Sequence, residues 1–152
     1  FKSDSGITSI VDYAHTPDAL QNVLKTIADI RGGKEKVVCI VGCGGDRDTG
    51  KRPLMAQAAC QWADQIILTS DNPRSEEPKA IIEDMKKGLN ASQMKKVLTI
   101  EDRQEAIKLG LTLCSEGDIL LIAGKGHEKY QEIKGERFPF DDMAILKEHL
   151  KD

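Results

Sequence analysis

Short, nearly continuous apolar runs alternate along this sequence with longer segments whose apolar residues recur every three or four positions. The short runs are rich in β-branched residues and predict strands at 7–11, 36–41, 65–69, 96–100 and 118–123. The longer segments predict helices at 17–30, 53–62, 78–88, 102–114 and 141–150. This alternation is typical of the α/β class, so we expect a Rossmann-like three-layer sandwich with right-handed crossovers.

The last part of the chain has a different pattern. Residues 130–133 and 136–138, joined by Lys134-Gly135, predict a short β-hairpin. We therefore expect a mostly parallel sheet of about six strands, with the hairpin as an antiparallel edge. The length of 152 residues fits one domain, and no repeat or linker interrupts it.

Composition argues against several classes of function. The net charge is −3 and the two signs are mixed, whereas nucleic-acid binding usually needs a clustered basic face. No apolar run approaches the roughly 18 residues that would predict a membrane span. Cys39, Cys60 and Cys114 fall in apolar or helical stretches and are expected to be reduced core residues. We expect a cytoplasmic protein with no metal site of its own.

Polar loops follow four of the five long predicted strands. They are residues 12–15 (DYAH), 42–48 (GCGGDRD), 70–74 (SDNPR) and 124–128 (GKGHE). In an open parallel sheet, ligands bind beyond the carboxyl ends of the strands. The sequence therefore predicts that these loops meet in one binding site.

The residue types in these loops favour a ligand that carries both charges. The segment 42–48 is neither a dinucleotide-binding nor a P-loop motif, and a plain tight turn also explains its glycines. Arg47 and Arg52 favour anion binding, because a guanidinium group grips a carboxylate with two parallel hydrogen bonds. In the next loop, Asp71 could bind an ammonium group and Arg74 a carboxylate, although Asn-Pro is also common in simple turns.

Other polar residues are open to two interpretations. Glu128 could complete an ammonium site with Asp71, or it could belong to a surface turn. His15 is equally well explained as a turn residue, and Tyr13 is expected to pack against the fold. Glu76 suits the start of the following helix and needs no functional role.

Four motifs together resemble a known family. They are D-Y-A-H-T-P-D at 12–18, G-C-G-G-D-R-D-x-x-K-R-P at 42–53, D-N-P-R-x-E-x-P at 71–78 and G-K-G-H-E-x-Y-Q at 124–131. In order and spacing they resemble the C-terminal domain of the Mur ligases over nearly the whole chain. D-N-P-R resembles the branch that adds meso-diaminopimelate, since the lysine-adding branch typically lacks arginine at the position of Arg74.

The resemblance implies an ATP-dependent ligase that joins meso-diaminopimelate to UDP-MurNAc-L-Ala-D-Glu through an acyl phosphate, in peptidoglycan biosynthesis. It implies that Asp12 and His15 lie at the edge that faces ATP. It also implies a binding site for the diamino acid, formed by Arg47, Asp71, Asn72, Arg74, Gly124 and Glu128.

The same resemblance implies that residues 1–152 are one domain of a longer protein, expected to be a monomer. The family's N-terminal UDP-binding domain and central ATPase domain would lie outside this chain. The phosphate-binding G-K-[ST] loop and the modified lysine that binds Mg²⁺ belong to the central domain, and the sequence here has neither motif. We therefore expect no catalytic residue in this domain and no activity from it alone. The alternatives are a lysine-adding ligase, a folylpolyglutamate synthetase-like ligase and a non-catalytic Rossmann-like binding module.

Overall fold

All five long predicted strands form one parallel sheet in the computed structural model, which describes residues 5–150. The strands are β1 (Thr8–Asp12), β2 (Val37–Val41), β3 (Gln65–Leu68), β4 (Val97–Thr99) and β5 (Ile119–Ala123). Their order across the sheet is β1-β5-β2-β3-β4. The four strands followed by polar loops are therefore consecutive neighbours, and β4 lies at the far edge.

Helices cover both faces of the sheet, which confirms the predicted sandwich. They are α1 (Pro17–Ile30), α2 (Lys51–Trp62), α3 (Pro78–Lys86), α4 (Ala91–Met94), α5 (Arg103–Leu113) and α6 (Asp142–His149). Strand β2 shows why its sequence is continuously apolar. Cys39 and Val41 join a core with α1, α2 and α3, whereas Val38 and Ile40 join a core with α5 and α6.

The helix boundaries follow local capping chemistry. Thr16 caps α1 as predicted, since its Oγ1 accepts a hydrogen bond from the Ala19 N–H at 3.2 Å and Pro17 takes the first helical position. Helix α4 was not predicted, because a single turn is too short to show a helical period. It is held by a capping box between Asn90 and Gln93.

The predicted hairpin is present but stands apart from the main sheet. Strands β6 (Tyr130–Ile133) and β7 (Glu136–Pro139) pair with each other, through a turn in which Lys134 and Gly135 both have positive φ. The hairpin contacts the loop after β3, where the Arg74 N–H donates to the Glu132 carbonyl at 2.9 Å. The parallel sheet therefore has five strands, and the antiparallel pair forms a second, small sheet.

Three of the four cysteines are buried, as the sequence predicts. Cys39, Cys60 and Cys114 are buried, and all four cysteines are free thiols. Across residues 5–150, no helix is both long enough and apolar enough to cross a bilayer.

Candidate functional site

A cavity of about 380 Å³ opens at the carboxyl edge of the sheet. Residues that follow β1, β2, β3 and β5 line it, as the sheet order requires. Seven of the eight predicted site residues belong to this lining, namely His15, Arg47, Asp71, Asn72, Arg74, Gly124 and Glu128. The eighth, Asp12, lies outside it. Asp12 Oδ1 accepts a hydrogen bond from the Ala14 N–H at 3.0 Å and shapes the turn after β1.

One wall of the cavity is acidic. Asp71 is only 7% exposed, and Glu128 is partly buried. Gly124 has a φ of +116°, and a Cβ there would lie 2.6 Å from Asp71 Oδ2. A glycine at this position therefore lets the loop after β5 approach the Asp71 carboxylate closely.

A buried lysine that the sequence analysis did not single out supports this wall. Lys125 Nζ donates to Asn72 Oδ1 at 2.7 Å and to the Tyr130 carbonyl at 2.9 Å. It also lies 3.4 Å from Glu128 Oε1 and 3.6 Å from Asp71 Oδ1. The sequence alone does not distinguish Lys125 from an ordinary surface lysine between two glycines. Its burial follows from the loops that pack around it.

Arg47 and Arg74 also line the cavity. Arg74 adopts a left-handed backbone with a φ of +51°, and its Nη1 donates to the Gly45 carbonyl at 2.9 Å. A Cβ on Gly44 would lie 2.8 Å from that same Nη1, so the glycine makes room for the guanidinium group. Arg47 is exposed at the rim and donates to the Asp46 carbonyl. The lining of the cavity thus includes both carboxylates and guanidinium groups.

Arg52 does not serve as the free anion-binding group that the sequence favoured. It is fully buried, and its guanidinium donates to Glu76 at 2.7 and 3.1 Å, to Asp84 at 3.0 Å and to the Gly44 carbonyl at 3.2 Å. Glu76, expected only as part of a solvated helix start, is the main ion-pair partner of Arg52. The hydrogen bond from Arg52 lowers the pKa of the Glu76 carboxyl group, and a second from the Asp46 N–H lowers it further. This pairing neutralises Arg52 and anchors the loop after β2.

Tyr13, the aromatic residue after β1, does not pack in the core as the sequence analysis predicted. Tyr13 is 55% exposed and lines the cavity, because it follows the strand and is not part of the core. Its ring meets the His15 ring edge to face, with 4.8 Å between the centroids. His15 Nδ1 lies 2.9 Å from the Tyr13 carbonyl oxygen, so the other ring nitrogen is the one available for a ligand.

The described residues do not provide a metal site. Between residues 5 and 150, no three His, Cys, Asp or Glu side chains cluster closely enough to hold a metal ion. Burial of the Cys43 thiol, followed by the nearby Asp71 carboxylate, raises its pKa to about 12.

The parallel sheet and the cavity at its edge, lined by residues of both charges, define a Rossmann-like domain. A family model described as "Mur ligase, glutamate ligase domain" matches residues 1–126, and the chain belongs to this family. The resemblance given by the four sequence motifs is thereby confirmed.

Two relatives in this family share one name. A Cytophaga hutchinsonii protein called "UDP-N-acetylmuramoyl-L-alanyl-D-glutamate--2,6-diaminopimelate ligase" is 60% identical over 97% of this chain and 30% of its own length. A Geobacillus kaustophilus protein with the same name is 53% identical over 95% of this chain and 29% of its own. This chain therefore spans about 30% of the length of the curated relatives it matches.

Solved structures give the same result. A structure of a ligase with that name superposes with a TM-score of 0.89 and 49% identity, covering 97% of this chain and 30% of its own. A folylpolyglutamate synthase from Thermotoga maritima superposes with a TM-score of 0.60 at 20% identity, covering 82% of this chain and 26% of its own. The second likeness shows a shared fold only.

Proposed function

We propose that this chain is the domain that binds meso-diaminopimelate in an ATP-dependent ligase that attaches it to UDP-MurNAc-L-Ala-D-Glu. The observation that carries the proposal is that Asp71, Glu128, Arg47 and Arg74 line one cavity, which brings two carboxylates and two guanidinium groups to a single site. A diamino diacid needs both kinds of partner. The names of the two relatives support the same substrate.

The charges of the site suit the two ends of this molecule. Asp71, Glu128 and the Gly124 carbonyl would hold the distal ammonium group, with Asn72 beside them. Arg74 would bind the distal carboxylate, and Arg47 the carboxylate next to the attacking amine. L-Lysine lacks the distal carboxylate and would leave Arg74, which is mostly buried, with only the Gly45 carbonyl and a 3.7 Å ion pair with Glu132 as partners. A site built this way can discriminate between two substrates by up to ~10⁴.

The reaction begins when ATP phosphorylates one of the two free carboxylates of the D-glutamyl residue. The neutral amine of the diamino acid then attacks the acyl carbon, loses a proton, and phosphate leaves as the amide forms. This chain holds the diamino acid so that its amine faces that carbon. Orientation alone can contribute several kcal/mol, up to roughly 7–11, to lowering such a barrier.

We propose that the chemistry itself takes place on domains outside this chain. Residues 1–152 contain no G-K-[ST] loop, and the described residues have no cluster that suits Mg²⁺. A central ATPase domain would hold Mg²⁺ and most of ATP, and an N-terminal domain would hold the UDP moiety. Asp12 and His15 would contact one edge of ATP. The isolated domain would then be inactive, and the intact protein would act as a cytoplasmic monomer.

Phosphate release by the intact gene product tests the proposal. We expect release that depends on meso-diaminopimelate and is far weaker with L-lysine. Arg74→Ala should raise KM for meso-diaminopimelate strongly and leave KM for ATP unchanged. Arg74→Lys should also raise KM for meso-diaminopimelate, since an ammonium group cannot form the two parallel hydrogen bonds of a guanidinium group. Arg31→Ala is the matched control, because Arg31 pairs with Asp64 away from the cavity. An unchanged KM for meso-diaminopimelate in Arg74→Ala would refute the proposal.

A further inference from the structure

A fully buried ammonium group lies directly behind the acidic wall. Among residues 5–150, Lys125 is the only buried lysine, and it does not line the cavity. Burying a charge is costly unless the charge is paired and hydrogen-bonded. The partners of Lys125 are Asn72, Asp71 and Glu128, which all line the cavity, and the Tyr130 carbonyl.

Lys125 neutralises only part of the negative charge of the two carboxylates in the acidic wall. Two of its N–H groups donate to Asn72 Oδ1 and to the Tyr130 carbonyl at 2.7 and 2.9 Å. The third faces both carboxylates, at 3.4 Å from Glu128 and 3.6 Å from Asp71. These separations exceed the ~2.7–2.9 Å of a strong charge-assisted hydrogen bond. One ammonium and two carboxylates leave one net negative charge, which suits one further ammonium group from a ligand.

The same lysine determines which end of the Asn72 amide faces the cavity. Asn72 Oδ1 accepts from Lys125 Nζ and from the Glu132 N–H at 2.9 Å, and neither partner can accept in return. The amide nitrogen must therefore point away, toward Glu128 Oε1 at 3.3 Å. Since that nitrogen carries two hydrogens, one is left for a carboxylate oxygen of a ligand.

We propose that Lys125 is a positioning residue that prepares the cavity for an ammonium and a carboxylate on the same carbon atom. The proposal rests on the function proposed above, because such a group forms the distal end of meso-diaminopimelate. Lys125 touches no ligand. It holds Asp71 and Glu128 together as the ammonium site, and it presents the Asn72 N–H as the neighbouring carboxylate donor.

The test compares Lys125→Met with Lys129→Met in the intact ligase. Lys129 is a suitable control because its side chain is 70% exposed and pairs with Asp141, outside the cavity. We expect Lys125→Met to raise KM for meso-diaminopimelate by about 10- to 100-fold, as for other outer-shell residues. KM for ATP and kcat at saturation should change little. Lys129→Met should match the wild type.

A second substrate separates positioning from general stability. 2-Aminopimelate lacks the distal amine but keeps the distal carboxylate. If Lys125 positions the ammonium site, the ratio of kcat/KM for meso-diaminopimelate to that for 2-aminopimelate should fall in Lys125→Met. If both substrates lose kcat/KM equally, or if meso-diaminopimelate binds more tightly, the inference is overturned.

A measurement on the wild-type protein covers the case in which Lys125→Met does not fold. With ¹⁵N-labelled lysine, the buried Lys125 ammonium should exchange its protons slowly. Saturating meso-diaminopimelate should shift this resonance more than 2-aminopimelate does, and equal or absent shifts would overturn the inference. If the wild type releases no phosphate with meso-diaminopimelate, the proposed function fails. If the wild type does release phosphate, but Lys125→Met keeps the wild-type KM for meso-diaminopimelate and the wild-type ratio of kcat/KM for the two substrates, only the role of Lys125 fails.

Discussion

Arg103 and Asp142 form a bidentate ion pair in which both side chains are completely buried. Arg103 Nε lies 2.8 Å from Asp142 Oδ1, and Nη2 lies 2.7 Å from Oδ2. The guanidinium group also donates to the Ser70 and Ala123 carbonyls at 3.1 and 3.2 Å. Ser70 precedes Asp71, and Ala123 precedes Gly124. The pair therefore links α5 and α6 to the starts of the two loops that form the acidic wall.

Breaking this pair should destabilise the fold. Arg103→Met leaves a buried carboxylate without its partner, which costs about 3–5 kcal/mol of unfolding free energy. Urea denaturation of the chain would measure the loss. The double variant Arg103→Met/Asp142→Leu should recover part of it, because no buried charge remains. Lys108→Met breaks an exposed pair with Glu105 and should cost less than about 1 kcal/mol. Equal losses for Arg103→Met and Lys108→Met would contradict this account.

The left-handed backbone at Arg74 predicts that two truncated variants of this residue differ in stability. At a φ of +51°, a Cβ costs roughly 1–2 kcal/mol, whereas glycine adopts the conformation freely. Arg74→Gly should therefore be more stable than Arg74→Ala by about 1 kcal/mol, although both lose the guanidinium group. At Arg47, whose φ is not positive, alanine should be at least as stable as glycine. Thermal unfolding of the four variants checks the comparison, and the same order at both positions would refute it.

Gly45 should not tolerate a side chain. A Cβ there would lie 1.8 Å from the Pro73 carbonyl oxygen, and the Gly45 N–H donates to the Asn72 carbonyl at 2.8 Å. Gly45→Ala must push apart the loops after β2 and β3, at a cost of about 3 kcal/mol, and should weaken binding of the diamino acid.

Gly50→Ala is the control for this substitution. Its added Cβ would meet only the Asp48 side chain, at 3.2 Å, and its backbone is already helical. We expect a change of less than about 1 kcal/mol by urea denaturation. Similar losses of unfolding free energy at Gly45 and Gly50 would show that the loop contact is unimportant.

The Arg52–Glu76 pair predicts how stability depends on acid pH. Because Arg52 lowers the pKa of folded Glu76, the folded state favours the carboxylate more than the unfolded state does. The resulting stability is fully present above the pKa of glutamate in the unfolded chain, about 4.3. It is lost as the pH falls through the lower pKa of Glu76 in the folded state. Unfolding free energy should thus fall below about pH 4.5, and less steeply in Glu76→Gln than in the wild type. Denaturation curves between pH 3 and 7 measure this, and parallel curves would count against it.

Much of the fold could be predicted because it depends on local sequence. The two-faced apolar pattern of β2 indicated a covered parallel sheet, and Thr16-Pro17 indicated the start of α1. The cavity could be located because the loops after parallel strands must share one edge. These inferences need only the order of the elements and the polarity of the residues after them.

The electrostatic network could not be predicted in the same way. Arg52, Arg103 and Lys125 are ordinary surface residue types, and their burial depends on acids and carbonyls distant in sequence. The family resemblance implies that Asp12 faces ATP. In the structure Asp12 accepts a hydrogen bond in the turn after β1 and does not line the cavity, so its contact with ATP stays a prediction. A sequence gives the charges of such residues but not which partners will neutralise them.

The position of β5 has a consequence for biosynthesis. In the sheet, β1 pairs only with β5, and β5 separates β1 from β2. While residues 119–123 remain inside the ribosome, the first strand has no partner and the wall that contains Gly124 and Glu128 does not exist. The nascent chain should therefore acquire protease resistance and ligand affinity together and late, once this central strand has emerged.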